Sequence, residues 1–312
     1  MAYEYEITNK RYHTLDYYFK TKYGKKVFKI PLNASFTCPN RDGTKGYGGC
    51  DFCSSKGSGD SAGDSKLSLI DQYYQMLNIM HKKWPEANYM IYFQAFSNTY
   101  GSLEKLKQTY EQFINLDPKI IGMSIATRPD CINKKIVDYL KTLKANFKEF
   151  WVELGLQTAN KKIADSLNIG YDFNDFENAV KLLSEAKIPV VVHIINGLPH
   201  ESKISMISTI KKINKLPIFG IKFHALNILK GTKLAEKYQN KPFKLLTLEE
   251  YIDIVIEQLQ YLKGNIVVHR ISGDSLAELL IAPLWVYKKL SLSNLIDQKM
   301  NELDVYQGEK FI

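Results

Sequence analysis

Arginine is scarce in this chain of 312 residues: among 42 Lys plus Arg, the arginines are Arg11, Arg41, Arg128 and Arg270. A guanidinium offers a rigid fork for carboxylate or phosphate that an ammonium does not, so these positions say more than the lysines do. Cysteine is scarce as well, four in all, and three of the four crowd into residues 38–53. Long apolar runs are missing. The longest, 188–195 and 279–287, stop well short of the roughly 20 residues that a membrane-spanning helix needs, so no transmembrane segment is expected. Residues 1–11 mix Glu, Asn, Lys and Arg with tyrosines and offer no stretch that could serve as a signal peptide. A cytoplasmic location is therefore expected, and in a reducing compartment a tight cysteine trio points to metal binding or chemistry rather than to disulfides. Neither a low-complexity linker nor a sequence repeat interrupts the chain.

What is present suits a folded protein with a sizeable core: 45% hydrophobic and 24% charged residues. The net charge of +9 permits a polyanionic partner such as nucleic acid, although a lysine excess spread over solvated helix faces accounts for it equally well. Short β-rich runs at 27–30, 89–94, 120–125, 150–157, 189–195, 220–228 and 266–270 are too uniformly apolar to face water on one side, and read as buried parallel strands. Helical patterns lie near 66–83, 102–115, 133–146, 173–186, 202–215 and 247–263. Alternation of this kind implies right-handed βα crossovers and an α/β barrel, whole or partial, with its chemistry at the C-terminal ends of the strands. Residues 1–25 form an N-terminal extension rich in Tyr and Lys, 26–273 the barrel, and 274–312 a helical C-terminal extension. In the first of these, 10–20 interleaves aromatic faces with cations as single-stranded RNA sites do; an amphipathic capping helix is the other reading.

The first strand leads into Cys38-Pro39-Asn40-Arg41-Asp42-Gly43, then Gly46-Tyr47-Gly48-Gly49-Cys50-Asp51-Phe52-Cys53. Three thiolates on one glycine-rich loop can wrap a soft metal centre. Structural zinc wants four closed ligands, usually as two cysteine pairs, and the second pair is missing, so zinc would need a distant histidine. A cubane cluster held by three thiolates keeps one iron open for a substrate or cofactor. Cys131, remote in sequence, reads as a buried inert thiol. Polar residues also recur at successive strand ends: Gln94, Ser124, Glu153, Gln157, His193 and Asn196. Singly, each could be a satisfied buried group; together, their cost of burial calls for a site.

The cysteine loop resembles that of the radical S-adenosylmethionine (SAM) superfamily. Its first gap of eleven residues is longer than the usual one and is similar to that of a subgroup including the elongator catalytic subunit and the YhcC/YtqA-type (MnmL-like) family. The likeness runs over residues 10–308, through Tyr92 to Tyr100, Ser124 to Asp130, Glu153 to Thr158, His193 to Pro199, His224 to Thr232 and Val268 to Asp274. It implies a partial (βα)6-type TIM barrel with N- and C-terminal extensions, and a [4Fe-4S] cluster on Cys38, Cys50 and Cys53. It also implies SAM contacts from Phe52, Gln94, Ser124, Glu153, Gln157 and Asn196. One departure stands out. Where the family carries an Arg for the SAM carboxylate this chain has Ile169, which leaves Arg128, then Lys161 or Lys162, as the expected cation. His193, His224 and His269, able to titrate near neutrality, are expected to face substrate or exchange protons.

The reaction the resemblance implies begins with one electron from a donor such as flavodoxin or ferredoxin, and uses a 5′-deoxyadenosyl radical. Its implied target is a tRNA wobble uridine, whose carboxymethylaminomethyl side chain becomes aminomethyl for a partner tRNA methyltransferase. A small molecule or a protein as substrate, and a non-catalytic scaffold that binds SAM and a cluster, are the alternatives.

Overall fold

The computed structural model describes residues 4–57, 59, 62–273 and 276–311. Seven strands pair in parallel: β1 (Val27–Leu32), β2 (Asn88–Phe93), β3 (Ile120–Thr127), β4 (Glu149–Gln157), β5 (Val190–Asn196), β6 (Gly220–Ala225) and β8 (Val267–Arg270). The order across the sheet follows the order in the chain, as repeated right-handed crossovers require. The result is the expected partial barrel, with β8 added beyond six βα units. Between β6 and β8, β7 (Ile228–Leu229) pairs antiparallel with β9 (Leu280–Ala282). The expected strand 220–228 is thus cut at Ala225: the Leu226 amide makes the last bond of the β5–β6 ladder, to the Asn196 carbonyl, and Ile228 then pairs with Ala282 instead.

Helices α2 (Leu69–Lys83), α3 (Leu103–Tyr110), α4 (Lys134–Lys144), α6 (Phe173–Glu185), α7 (Lys203–Ile213) and α9 (Leu248–Tyr261) coat the sheet where their apolar stripes were expected. Their starts are encoded locally. Ser68, Ser102, Asn133, Asp172, Ser202 and Thr247 each accept a hydrogen bond from a first-turn amide, and Asp172 with Asp175 and Thr247 with Glu250 make capping boxes. Two short helices, α5 (Lys161–Ser166) and α8 (Lys233–Asn240), add to these. No described helix is long and apolar enough to cross a membrane.

Because β1 and β8 do not pair, the barrel has an open side, and the N-terminal segment fills it. Thr14 bridges to Val268, whose amide donates to the His13 carbonyl at 2.7 Å. The helix α1 (Leu15–Tyr23) then packs beneath the barrel, where Phe19 joins Val27, Met90, Ile121, Trp151 and Val191 in an apolar floor. The reading of 10–20 as a single-stranded RNA surface is corrected by this placement. Tyr12 and Phe19 are buried, and the Tyr18 and Tyr23 hydroxyls donate to Glu149, at the end of the barrel away from the cysteine loop. The helix α10 (Lys289–Glu302) buries Leu292, Ile296 and Met300. Gln307 then ties both ends of the chain together, accepting from the His13 amide and donating to the Lys263 and Ile266 carbonyls. Asp274, beside the expected boundary at 273/274, lies outside the described residues.

Candidate active site

The loop carrying Cys38, Cys50 and Cys53 leaves the C-terminal end of β1, the end at which barrel chemistry sits. It is held by reciprocal contacts with the segment after α5: Asn40 Nδ2 donates to the Asn168 carbonyl at 2.6 Å, Asn168 Nδ2 to the Gly49 carbonyl at 2.8 Å, and the Asp51 amide to the Leu167 carbonyl at 3.0 Å. Gly49 has φ +79°, and a Cβ there would come within 2.8 Å of Arg41 Nε, so the turn requires glycine. None of the four cysteines is in a disulfide. A hydrogen bond with Cys53 and burial push the Cys50 thiol well up, with further contributions from the Cys53 and Cys38 charges and an opposing one from Arg128. The three sulfurs are therefore electrostatic neighbours whose joint ionisation needs a cation among them. Asn40 Nδ2 and Arg128 Nη1 lie 3.8 and 4.0 Å from the Cys50 sulfur, as donors to a thiolate. Among the described residues no three His, Cys, Asp or Glu side chains make a mononuclear metal site. In a cubane each thiolate binds a different iron, so three neighbouring thiols need not converge on one point, and the donor set fits a [4Fe-4S] cluster with one open iron. Cys131 is buried, its thiol pushed up to about 12 by burial and by Asp130, which makes it a poor ligand.

A cavity of about 280 Å³ runs from this loop, at Phe52 and Gly57, into the barrel. Gly57, with φ +60°, admits the Phe96 ring where a Cβ would lie 2.3 Å from it. At the bottom, the wholly buried Glu153 carboxylate collects five donors. Ser124 Oγ and Trp151 Nε1 reach Oε1 at 2.6 and 3.3 Å, and His193 Nε2 reaches Oε2 at 2.6 Å. Lys29 bonds Oε1 and Lys222 bonds Oε2. Burial alone would raise the Glu153 pKa, but Lys222, Lys29 and the His193 hydrogen bond hold it well below the usual carboxylate range. Burial lowers both lysines. Burial and Lys222 bring His193 down to about 4, so its imidazole is neutral and Nε2–H donates to Glu153. His193 stacks on His224, with ring centroids 5.2 Å apart.

Most of the expected site residues come together here: Phe52, Gln94, Arg128, Glu153, Gln157, His193 and His224 all line the cavity. Gln157 does so with φ +67° at a β-bulge, the kind of backbone strain that collects at sites. Ser124 lies just beneath, wholly buried against Glu153. The structure does not bring in the others. Asn196 exchanges hydrogen bonds with Gln258 at 2.7 and 2.9 Å, so its amide is spent away from the cavity. His269 turns toward the floor, edge-on to Trp151 and Phe219. Lys161 is exposed on α5 and paired with Asp165, and Lys162 is exposed beside it. Arg128 is present but already committed: it makes a two-pronged bond to Asp130 at 2.8 Å on each prong, donates to the Ile169 carbonyl at 2.9 Å, and lies over the Tyr171 ring. The expected residues leave out Lys29, Lys222, Tyr92, Tyr171 and Asn227. A lysine inside an apolar strand, as in Val27-Phe28-Lys29-Ile30 or Ile221-Lys222-Phe223, is the signal that marks the first two.

Comparison with known proteins agrees with this geometry. The Radical SAM superfamily domain matches residues 35–213, and the Radical_SAM C-terminal domain matches 218–302. YtqA of Bacillus subtilis is 43% identical over 307 residues, covering 98% of this chain and 95% of its own. The tRNA uridine(34) acetyltransferase of Methanocaldococcus jannaschii is 25% identical over 205 residues, covering 65% of this chain and 36% of its own. Among solved structures, Elp3 of Methanocaldococcus infernus superposes with a TM-score of 0.67 at 16% identity, over 91% of this chain and 64% of that one, a likeness of fold. This chain belongs to the radical SAM superfamily, in the YhcC/YtqA-type family related to Elp3, and its cofactors are a [4Fe-4S] cluster and SAM.

Proposed function

We propose that this radical SAM enzyme modifies the wobble uridine of tRNA, converting a carboxymethylaminomethyl side chain to aminomethyl, with SAM as the two-electron oxidant, cleaved to methionine and 5′-deoxyadenosine, and water releasing the two carbons as glyoxylate, and with Cys38, Cys50 and Cys53 holding the cluster. The observation that carries the reading is the cavity itself, capped by the cysteine loop at Phe52 and closed below by the Glu153 layer. Its walls bring polar side chains of successive strands to face the loop that would hold the cluster. When bound, the cluster and SAM supply the one-electron chemistry that removes a hydrogen atom from substrate. The chain's own residues orient and shield. Phe52, Gln94 and Gln157 offer an apolar face and two amides to SAM; Arg128, anchored by Asp130, ties Cys50 to the Ile169 carbonyl and keeps the loop against the cavity. His193 and His224 lie deeper, on the substrate's side.

The RNA substrate is supported by the net charge of +9 and by the relative named for uridine-34 chemistry. A one-electron donor of the flavodoxin or ferredoxin kind and a tRNA methyltransferase acting on the product complete the proposed partners. A base in an anticodon loop reaches an enclosed site at low cost because it is already free of a duplex. The test is to incubate reduced enzyme and SAM with tRNA bearing carboxymethylaminomethyl-uridine and to analyse the nucleosides by mass spectrometry. Conversion to aminomethyl-uridine is expected, with binding that weakens as salt rises by about 0.7–0.9 log units per log unit of salt for each phosphate contacted. An unchanged nucleoside and salt-insensitive binding would remove the RNA from the reading and leave the radical SAM assignment in place.

A further inference from the structure

The polar layer of the barrel is unbalanced in charge. Lys29 and Lys222 bond opposite oxygens of the same Glu153 carboxylate, and among the described residues no other Asp or Glu lines the cavity. One carboxylate therefore serves two lysines, and burial pushes both of them down. Excess charge in a desolvated site is unfavourable unless a ligand supplies the opposite sign. SAM does not, because its carboxylate comes with an ammonium and a sulfonium. Two atoms point independently to a ligand: His224 Nε2 and Asn227 Oδ1 are buried with no hydrogen-bond partner among the described residues, and both residues line the cavity.

We infer that Lys222, with His224 beside it, forms an anion subsite on the cavity floor that takes a carboxylate of the substrate. Lys222 Nζ donates to Glu153 and, at 3.2 Å, to the Tyr92 hydroxyl, which leaves one N–H for a ligand. Glu153 and Tyr92 thus aim the amine, while Lys29 shares the Glu153 charge, so that an anionic ligand supplies the counter-charge that holds Lys222 as an ammonium against the burial that pushes it down. His224, as its Nε2–H tautomer, supplies a second donor, and Asn227 Oδ1 is an acceptor for an amine next to the carboxylate. The inference rests on the reading above, in which the side chain attacked is a carboxymethylamine. It adds what distinguishes substrate from product, since the aminomethyl product has lost the carboxylate and with it the contact to the floor.

The test uses full-length, cluster-reconstituted enzyme with SAM, and compares anticodon stem–loops carrying carboxymethylaminomethyl-uridine, its methyl ester or aminomethyl-uridine. The free acid is expected to bind about ten- to a hundredfold more tightly than the other two, the range for charge-assisted hydrogen bonds. Lys222→Met leaves Glu153 and Lys29 as a balanced pair, and is expected to erase that preference while iron content and SAM affinity stay as in the wild type. His224→Gln is expected to reduce it in part. Equal binding and conversion of acid and ester by the wild type would overturn the subsite and spare the tRNA reading. Equal weakening of all three stem–loops by Lys222→Met would assign the lysine a structural role and also overturn it. Failure of every stem–loop to bind, with N-methylglycine still binding to the wild type and not to Lys222→Met, would support the subsite and reject the RNA.

Discussion

Replacing Glu153 by Gln keeps the side chain's shape and one acceptor oxygen, enough for Ser124 or His193 but not for both, and leaves Lys29 and Lys222 facing each other without a counter-charge. Removing one partner of a buried ion pair costs about 3–5 kcal/mol. An unfolding entropy of about 2.1 cal/mol/K per residue gives about 0.66 kcal/mol/K for 312 residues, so that loss corresponds to a fall in Tm of about 5–8 °C. The pH dependence has a definite sign. In the wild type, burial already lowers both lysines, with Glu153 pulling the other way, and without Glu153 they fall further below the unfolded value of about 10.4. Between the folded and unfolded pKa values the unfolded chain binds more protons, so stability rises with pH across that window. The Tm deficit of Glu153→Gln is therefore largest at neutral pH and shrinks toward pH 10. Adding Lys222→Met removes one of the stranded charges and recovers part of the loss. Thermal unfolding followed by circular dichroism under anaerobic conditions at several pH values reads all three effects. A Glu153→Gln protein within about 1 °C of wild type at every pH would refute the ionic layer as described.

Further outcomes follow from the same contacts. Cys38→Ala, Cys50→Ala and Cys53→Ala are each expected to abolish the four-iron cluster, and Cys131→Ala to leave it intact; iron and sulfide analysis after anaerobic reconstitution decides, and stoichiometric zinc in place of iron would count against the assignment. Arg128→Ala removes the donor to the Ile169 carbonyl and the neighbour of Cys50, and is expected to weaken SAM binding by about tenfold or more, the value of a charge-assisted contact; unchanged affinity in equilibrium dialysis would exclude that role. His193, held near 4 by burial and Lys222, stays neutral in the folded protein while the unfolded chain gains a proton between about pH 6.5 and 4. Stability is lost as pH falls through that window, and His193→Gln is expected to lose less.

Strand positions were legible because each buried parallel strand is a short apolar run between turn signals, while its inward side was not, because both faces are apolar. Trp151, Glu153, Gly155 and Gln157 alternate along β4 and share the barrel interior. Helix starts were legible from Ser, Asp, Asn and Thr caps. The short helix α5 escaped because six residues give too little periodicity to register; α8, as long as the recognised α3, escaped as well. The N-terminal aromatics carried a signal that composition alone could not interpret. Tyr and Lys in alternation suit an RNA surface and a barrel plug equally, and the open side left by the unpaired β1 and β8 decides for the plug.

The site was legible as a set of residues and hidden as a set of partnerships, for a physical reason. Periodicity assigns a side chain to a face of its strand, whereas the level at which it meets its neighbours depends on the register between strands. Direct register places Tyr92 beside Ser124 and His193 beside Lys222, and the stagger of the barrel then brings Lys29 across to Glu153, 124 residues away in sequence. Nothing local to Glu153 reveals that two lysines share it. Asn196 shows the same limit from the other side: its place at a strand end made it a candidate, while Gln258, on a helix 62 residues on, takes its amide. A lysine in the middle of an apolar strand calls for an internal anion, and two such lysines against one buried glutamate, with no other carboxylate on the cavity wall among the described residues, are what the proposed anion subsite rests on. That arrangement can be stated only once the register is known, and it turns the floor of the barrel from a stability device into a means of choosing substrate.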